Sequence, residues 1–367
     1  MTRIILLLDF DYFYAQIEER DNSKYKDKPL VVCVYSGRTE NSGAVATCNY
    51  KARDLGIRSG MPISFAQKHA EKDSETVFIP VRMDYYKEVS SEIMEMLRSH
   101  ADKFEQVSVD EAYLDISESS GENYQKAAVI AANIKKEVKE KFELTCSIGI
   151  GPNKLLAKMS AGVHKPDGLT IIKPEDVREF MDPLLVHKLF GIGPKTTKIL
   201  AANNVTTIRD LAMYDIGVLQ RLFGENKGVL LHNRALGIDE EIVEDSDKQQ
   251  ISRLTTLKED TMNMDILEKT VEDLARSVYT KTDNMEIQFK TVSIIAINSE
   301  LQTRTRSKTL DEPSDDLDSI QNSCKELIKD FLKDHPEKLR RIGVRISNFS
   351  DYEKEKKQSD LGKFFKK

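Results

Sequence analysis

Cysteine is scarce and scattered in this 367-residue chain: Cys33, Cys48, Cys146 and Cys324 form no C-x-x-C pair. That argues against a disulfide framework and a zinc site and points to a reducing compartment, the cytoplasm. Long hydrophobic runs are missing too. The apolar run near the start, residues 4–8, is too short for a membrane span and too soon acidic for a signal peptide, so no membrane association is expected. There is no internal repeat and no large excess of one charge. A formal charge of −6 gives no hint of a nucleic-acid partner, but it averages the whole surface and leaves local basic stripes to be sought. The length allows two to four domains, at roughly 100–200 residues each.

What is present is acid where strands should end. Within residues 3–15, Asp9 and Asp11 follow the apolar run of residues 4–8, and Asp110, Glu111 and Asp115 punctuate residues 106–117. Carboxylates are rarely buried unless paired or bound to metal. Residues 4–8, apolar throughout, read as a central strand covered on both faces. Residues 107–116 alternate, Val107 and Val109 on one face and Ser108 and Asp110 on the other, in the manner of a hairpin. If the two strands are neighbours, Asp9, Asp110 and Glu111 converge at one sheet edge. Three carboxylates so close repel unless divalent cations neutralise them, and hard oxygen ligands suit Mg²⁺. Two such ions about 4 Å apart form the clamp for an in-line phosphoryl displacement.

Residues 1–175 read as α/β, with strands at 4–8, 30–34, 77–81, 107–116, 145–150 and 169–172. A stripe of Ala127, Ala128, Ile130, Ala131, Ile134 and Val138 predicts a helix over residues 124–142. Residues 183–237 turn helical with glycine punctuation. The acidic run 239–247 has little to pack and reads as an extended linker. Residues 249–349 return to strands (291–298, 301–310, 340–347) and helices (near 265–281 and 317–333).

This pattern, taken with the segments below, resembles the Y-family DNA polymerases, closest to the archaeal polymerase IV (DinB-type) branch, over nearly all of the chain. The resemblance implies an α/β multidomain fold shaped like a right hand. Its palm would be a ferredoxin-like sheet (residues 1–18 and 78–175), with small fingers (19–77) and a helical thumb (176–238). A linker (239–248), a separate α/β little finger (249–350) and a flexible tail (351–367) would follow. It implies Asp9, the Phe10 carbonyl, Asp110 and Glu111 as ligands of two Mg²⁺ ions, the three carboxylates being catalytic. Asp11 and Asp115 read as structural or solvated. Tyr14 falls at the family's steric-gate position; an aromatic ring beside the incoming sugar clashes with a 2′-hydroxyl. Tyr12 and Phe13 read as packing or as backbone contacts to the triphosphate.

In residues 43–62, Thr47, Tyr50 and Arg53 lie three apart and read as one helical face directed at triphosphate oxygens. Gly43, Ala44 and Ala46 are small, and in the family small residues here roof the nascent base pair. Cys48 reads as a small buried hydrophobe. Lys165, before Pro166, cannot be helical and projects from a loop, where the family places a triphosphate contact. Lys154 and Lys158 are weaker candidates.

Residues 189–200 look like a helix-hairpin-helix, in which Gly191 and Gly193 permit a tight turn and Lys195 and Lys198 assist in holding duplex phosphate. Arg304, Arg306 and Lys308 alternate along one strand, and Lys338, Arg340, Arg341 and Arg345 surround another. Together with Arg253 they suggest a basic sheet lying on DNA. In the tail, Gln358, Leu361, Phe364 and Phe365 resemble the peptide that docks on sliding clamps.

The expected function is template-directed, low-fidelity DNA synthesis across damaged template by a monomer, adding dNTPs to a primer on primer–template DNA. No further acidic cluster suggests a proofreading nuclease. Two alternatives stay open: a palm-type nucleotidyl cyclase, and a non-catalytic DNA-binding scaffold recruited by a clamp.

Overall fold

The computed structural model describes residues 3–245, 249–283, 285 and 287–351. The chain opens with strand β1 (Ile5–Phe10) and helix α1 (Phe13–Asp21), then β2 (Leu30–Tyr35), β3 (Gly43–Cys48), α2 (Tyr50–Asp54), α3 (Ile63–Ala70) and β4 (Val77–Pro80). Next come α4 (Met83–Arg98), β5 (Lys103–Gln106), β6 (Glu111–Asp115), α5 (Tyr124–Phe142), β7 (Cys146–Gly151), α6 (Lys154–Ala161) and β8 (Leu169–Ile171). A helical stretch follows: α7 (Val177–Met181), α8 (Pro194–Ala202), α9 (Ile208–Ala212), α10 (Ile216–Phe223) and α11 (Glu225–Ala235). The last part runs β9 (Gln250–Thr261), α12 (Met264–Asp283), β10 (Ile287–Asn298), β11 (Thr303–Ser314), α13 (Leu317–Asp334) and β12 (Leu339–Asp351). By contacts the chain forms two units. One joins the residues up to Val34 with those from Ala44 to the linker; the other joins Tyr35–Gly43 with the chain beyond the linker.

The first unit is built on a sheet of order β5-β6-β1-β7-β8, with β1 antiparallel to both β6 and β7. Strands β1, β5, β6 and β7, with the helices between them, make the split βαβ arrangement of ferredoxin-like folds. The apolar run of β1 is explained by its neighbours. Leu6 and Leu8 join a core with α4 and α5, whereas Ile5 and Leu7 pack against Ala157 and Ala161 of α6. Period-2 alternation then sends Asp9 to the α6 face. Helix α5 spans the residues its stripe predicts, and Asn123 caps it by accepting from the Lys126 amide.

The hairpin differs from expectation. Its arms are β5 and β6, so Val107 and Val109 fall in the connecting turn, where the Val107 and Ser108 amides both donate to the Glu111 carbonyl. Two valines at alternate positions do not separate a strand from a tight turn. The acidic run after α11 is extended as expected, but it is packed. Val243, its buried apolar side chain, covers Ile5, Leu7 and Tyr113, and Asp239 accepts from the Leu155 amide at the start of α6. A smaller sheet, β3-β2-β4, has its own core around Val31, Val45, Ile57 and Ile63, and Cys48 is buried there as a small hydrophobe.

The second unit is a sheet of order β11-β10-β12-β9 packed on α12 and α13. Val292, Ile294 and Ala296 of β10 point to the helices. Among the described residues no helix is long and apolar enough to cross a membrane.

Candidate active site

Strand register sets the centre of the site. Asp9 stands directly opposite Glu111 on the neighbouring antiparallel strand, and the Phe10 amide donates to the Asp110 carbonyl at 2.9 Å. Both Asp9 and Glu111 project to the α6 face, where Lys158 lies. Its ammonium reaches Asp9 Oδ2 at 3.3 Å and also bonds Glu111; Lys165 bonds the other oxygen of Asp9. Burial pushes the Asp9 carboxyl up, but the charge and hydrogen bond of Lys165 bring it below the ordinary aspartate value. For Glu111 burial prevails and the pKa is raised in spite of Lys158. Burial and the two ammonium groups thus push the two neighbouring carboxyl pKa values in opposite directions.

Asp110 lines the same cavity as Asp9, while its carboxylate accepts from Ser108 Oγ at 2.6 Å. The three acids are thus brought to one place, but they are not gathered around one point: among the described residues no three His, Cys, Asp or Glu side chains form a ready metal cage. The donor set is nonetheless all oxygen. Ammonium groups already sit on Asp9 and Glu111, so the position attracts cations and fits a hard divalent one.

The cavity, about 260 Å³, is lined by Asp9, Asp110 and Lys165 on one side and by Thr47, Tyr50 and Arg53 on the other. Phe10, Tyr12, Phe13, Tyr14, Ala46 and Ser59 complete it. A sharp turn between β1 and α1 lets strand end and helix start share this space. Tyr12 supplies it with φ 38° and ψ 44°, a left-handed conformation uncommon outside glycine. Phe13 is buried core, whereas the Tyr12 ring meets Tyr50 edge-on at 5.3 Å. Tyr14 stacks on buried Tyr86 with ring centroids 4.5 Å apart.

Asp11 is structural, as read. Fully buried, it accepts from Thr145 Oγ1, Ser147 Oγ and the Asp167 amide at 3.1, 2.8 and 2.8 Å. It thereby fastens the loop that carries Lys165 to the strand that carries Asp9. Asp115 accepts from the amide and hydroxyl of Ser117.

The reading of Thr47, Tyr50 and Arg53 as one helical face is corrected: Thr47 is on β3 and only the other two are on α2. Asn49 ends the strand and caps the helix. Its carboxamide accepts from the Ala52 and Leu30 amides, both at 3.0 Å, and donates to Glu19 and the Lys28 carbonyl. The three side chains still converge on the cavity. The Arg53 guanidinium lies 4.8 Å over the Tyr50 ring, and the Tyr50 hydroxyl is shielded with no hydrogen-bond partner among the described residues. Lys158, a weak candidate by sequence, proves central, and Lys154 is elsewhere, paired with Glu105 and Glu241. Ser59 and Asn49 carried no sequence signal beyond ordinary turn chemistry.

Near residues 189–200 the first helical member is a single 3₁₀ turn, Val186–Lys188, and the second is α8, with Pro194 at its start. Gly191 has φ +92°, a left-handed conformation that favours glycine. Gly193 is open to space, and Lys195 and Lys198 are exposed on one face of α8.

In the second unit the basic strand faces the other way from the expectation. Arg304, Arg306 and Lys308 pair in register with Ala296, Ile294 and Val292, which are core residues, so they lie on the helix side of the sheet. Each is tied to acid there, Arg304 to Glu337, Arg306 to Asp334 and Lys308 to Glu326. Arg253 is on that side too, donating to Ser277 at 3.2 Å. The open face carries Arg341 and Arg345, opposite Ile297 and Ser293, and both have an Nε without a partner among the described residues. Arg340 lies at the irregularity between Leu339 and Arg341. Gln358, Leu361, Phe364 and Phe365 lie outside the described residues.

A split βαβ sheet with facing carboxylates at its edge, and hydroxyl, phenol and guanidinium across a small polar cavity, is the palm of a nucleotidyltransferase. The comparisons narrow the class. The impB/mucB/samB family matches residues 8–162 and its C-terminal domain residues 248–361, with the thumb domain of DNA polymerase-iota matching residues 187–239. DNA polymerase IV of Methanosarcina acetivorans is 44% identical, over 98% of this chain and 99% of its own length. That of Nitrosopumilus maritimus is 38% identical over 99% and 100%. Among solved structures, a Y-family DNA polymerase chimera, Dbh-Dpo4(243-245)-Dbh, superposes with a TM-score of 0.89 at 35% identity, covering 95% of this chain and 99% of that one. An insertion ternary complex of Dbh DNA polymerase gives 0.72 at 35% identity over the same shares. The chain belongs to the Y-family DNA polymerases, and it is a DNA-directed DNA polymerase. Neither the cyclase nor the scaffold alternative finds support.

Proposed function

We propose that this polymerase performs translesion synthesis, extending a primer 3′-hydroxyl with dNTPs on damaged template DNA at low fidelity. The observation that carries the reading is the cavity in which Asp9, Asp110 and Lys165 confront Thr47, Tyr50 and Arg53. Asp9, the Phe10 carbonyl, Asp110 and Glu111 would hold two Mg²⁺ ions. Bound there, the ions would supply Lewis acidity to the 3′-hydroxyl and to the departing pyrophosphate.

The chain's own residues do the rest. Asp9 and Asp110 fix the reacting end against the cavity wall, and Glu111 stands beside it at the primer side. Thr47, the unpartnered phenol of Tyr50 and the fork of Arg53 bind triphosphate oxygens, as does Lys165 when its ammonium leaves Asp9 for phosphate. The Tyr14 ring excludes a 2′-hydroxyl from the sugar position. Ala46 presents only a methyl group to the pairing base, which leaves room for distorted templates and lowers fidelity. Palm (residues 1–18 and 78–175), fingers (19–77), thumb (176–238), linker (239–248) and little finger (249–350) would divide this work between them. Gly191, Gly193, Lys195 and Lys198 of the thumb grip duplex phosphate, and the open face of the little finger offers Arg341 and Arg345. The tail residues Gln358, Leu361, Phe364 and Phe365 recruit the enzyme to a sliding clamp in the cytoplasm. The enzyme would act as a monomer.

Primer extension on undamaged and lesion-bearing templates, by wild type and Glu111→Ala, tests the reading. Metal-dependent extension past the lesion by wild type alone is expected. Error rates matching those of accurate replicative enzymes would count against it.

A further inference from the structure

The Tyr14 ring is held from behind by a chain of buried contacts. On α1, Tyr14 and Glu18 are one turn apart and share a face; Arg82 and Tyr86 are likewise one turn apart at the start of α4. The two faces meet. Tyr86, fully buried, donates its phenol to Glu18 Oε1 at 2.5 Å, and Arg82 Nε donates to the same oxygen at 2.7 Å. Arg82 is itself steadied by Asp21 at 3.2 Å and lies 4.6 Å over the Tyr85 ring. Tyr14 stacks on the anchored Tyr86 ring, 13° from parallel, and its own hydroxyl has only a weak 3.7 Å contact to Met83 Sδ. The front of Tyr14 faces the cavity; its back rests on Tyr86.

We propose that Glu18 and Arg82 are positioning residues for sugar discrimination: acting through the Tyr86 phenol, they fix how far the Tyr14 ring reaches toward the incoming nucleotide's 2′ position. This rests on the reading of Tyr14 as the sugar-excluding ring. A buried carboxylate needs its cation and its hydrogen bonds. With charge-assisted bonds at full strength the Tyr86 ring cannot tilt, and so neither can the ring stacked on it. Steric exclusion of one hydroxyl depends on displacements well under an ångström, so loosening the anchor admits ribonucleotides while leaving deoxynucleotides almost untouched.

The experiment is single-nucleotide insertion of dNTP and of the matching rNTP by full-length enzyme. Glu18→Leu and Tyr86→Phe, each of which removes the phenol–carboxylate bond and each checked for folding by thermal melting, should keep dNTP kcat/KM within about twofold and raise rNTP kcat/KM roughly tenfold. The double variant should relax selectivity no further than either single one, because both act through one bond. If both variants fold and the rNTP-to-dNTP ratio stays at the wild-type value, the inference fails. Tyr14→Ala serves as the control: if it too leaves the ratio unchanged, the sugar-excluding reading of Tyr14 falls first and the inference with it. A purely structural role for Glu18 would lower the melting temperature without moving the ratio.

Discussion

Cations meet acids in two parts of this molecule, with different consequences. In the palm, Lys158 and Lys165 bond Asp9 and Glu111, side chains between 14% and 25% exposed. In the little finger, Arg304, Arg306 and Lys308 bond Glu337, Asp334 and Glu326, with exposures from 29% to 57%. The palm pairs are shielded enough to make the charges of Asp9, Glu111 and Lys158 depend on one another. The little-finger pairs compete with water and amount to a solvated fringe beside the helices. Charge alone does not mark a binding surface. What matters is which side of the sheet it is on and whether it is already spoken for.

The comparison breaks first at the acids themselves. Asp9→Ala or Glu111→Ala should lower primer extension on the order of 10²–10³-fold or more, with DNA binding in gel shifts largely kept. Equal extension by wild type and Glu111→Ala would remove the palm from the chemistry. Lys158→Met should reduce stability by about 2 kcal/mol in chelator, less than the loss for a fully buried pair, and excess divalent cation should narrow that gap. Calorimetry with and without Mg²⁺ measures both.

In the little finger the order of effects is inverted relative to the sequence reading. Arg341→Ala or Arg345→Ala should weaken DNA binding and reduce the salt slope by about one each, because these side chains are uncommitted on the open face. Arg306→Ala should change stability by less than about 1 kcal/mol and affinity less than Arg341→Ala does. Fluorescence anisotropy at several salt concentrations ranks them, and the opposite ranking would restore the basic strand β11 as the DNA face.

The smallest effect belongs to a carboxylate held by backbone instead of a cation. Asp210 receives the Thr206 and Thr207 amides at the start of α9, which pulls its pKa down to about 2. A depressed pKa contributes stability that is present above the unfolded value of 3.8 and disappears as the pH falls through about 2. The melting-temperature gap between wild type and Asp210→Asn should therefore close over that window. Thr207→Ala, which removes the other half of this capping box, should cost about 1 kcal/mol at neutral pH.

The parts of the fold that bury a continuous apolar pattern were legible in the sequence. Residues 4–8 announced β1, and the apolar stripe of residues 127–138 announced α5, although Ala128 and Ile130 of that stripe are only half-buried. The carboxylate trio was legible because acids at the ends of buried strands have few innocent explanations. Four things were not. Val107 and Val109 alternate within a turn, since two residues per face are too few to fix a strand. Thr47 precedes its helix because Asn49, a cap, stops the helix from starting sooner. The facing of β11 depends on register against β10, and a period of two reveals that Arg304, Arg306 and Lys308 share a side but not which side. Lys158 stood out only once α6 was laid across the sheet.

The strand from Ile5 to Phe10 is sandwiched between α4 and α5 below and α6 above. Its amide protons should be among the last in the protein to exchange with solvent, opening only when the whole first unit unfolds. The backbone that bears Asp9 is therefore a fixed post. An enzyme that tolerates misshapen templates has to find its give in the surrounding loops and hinges, never in this strand.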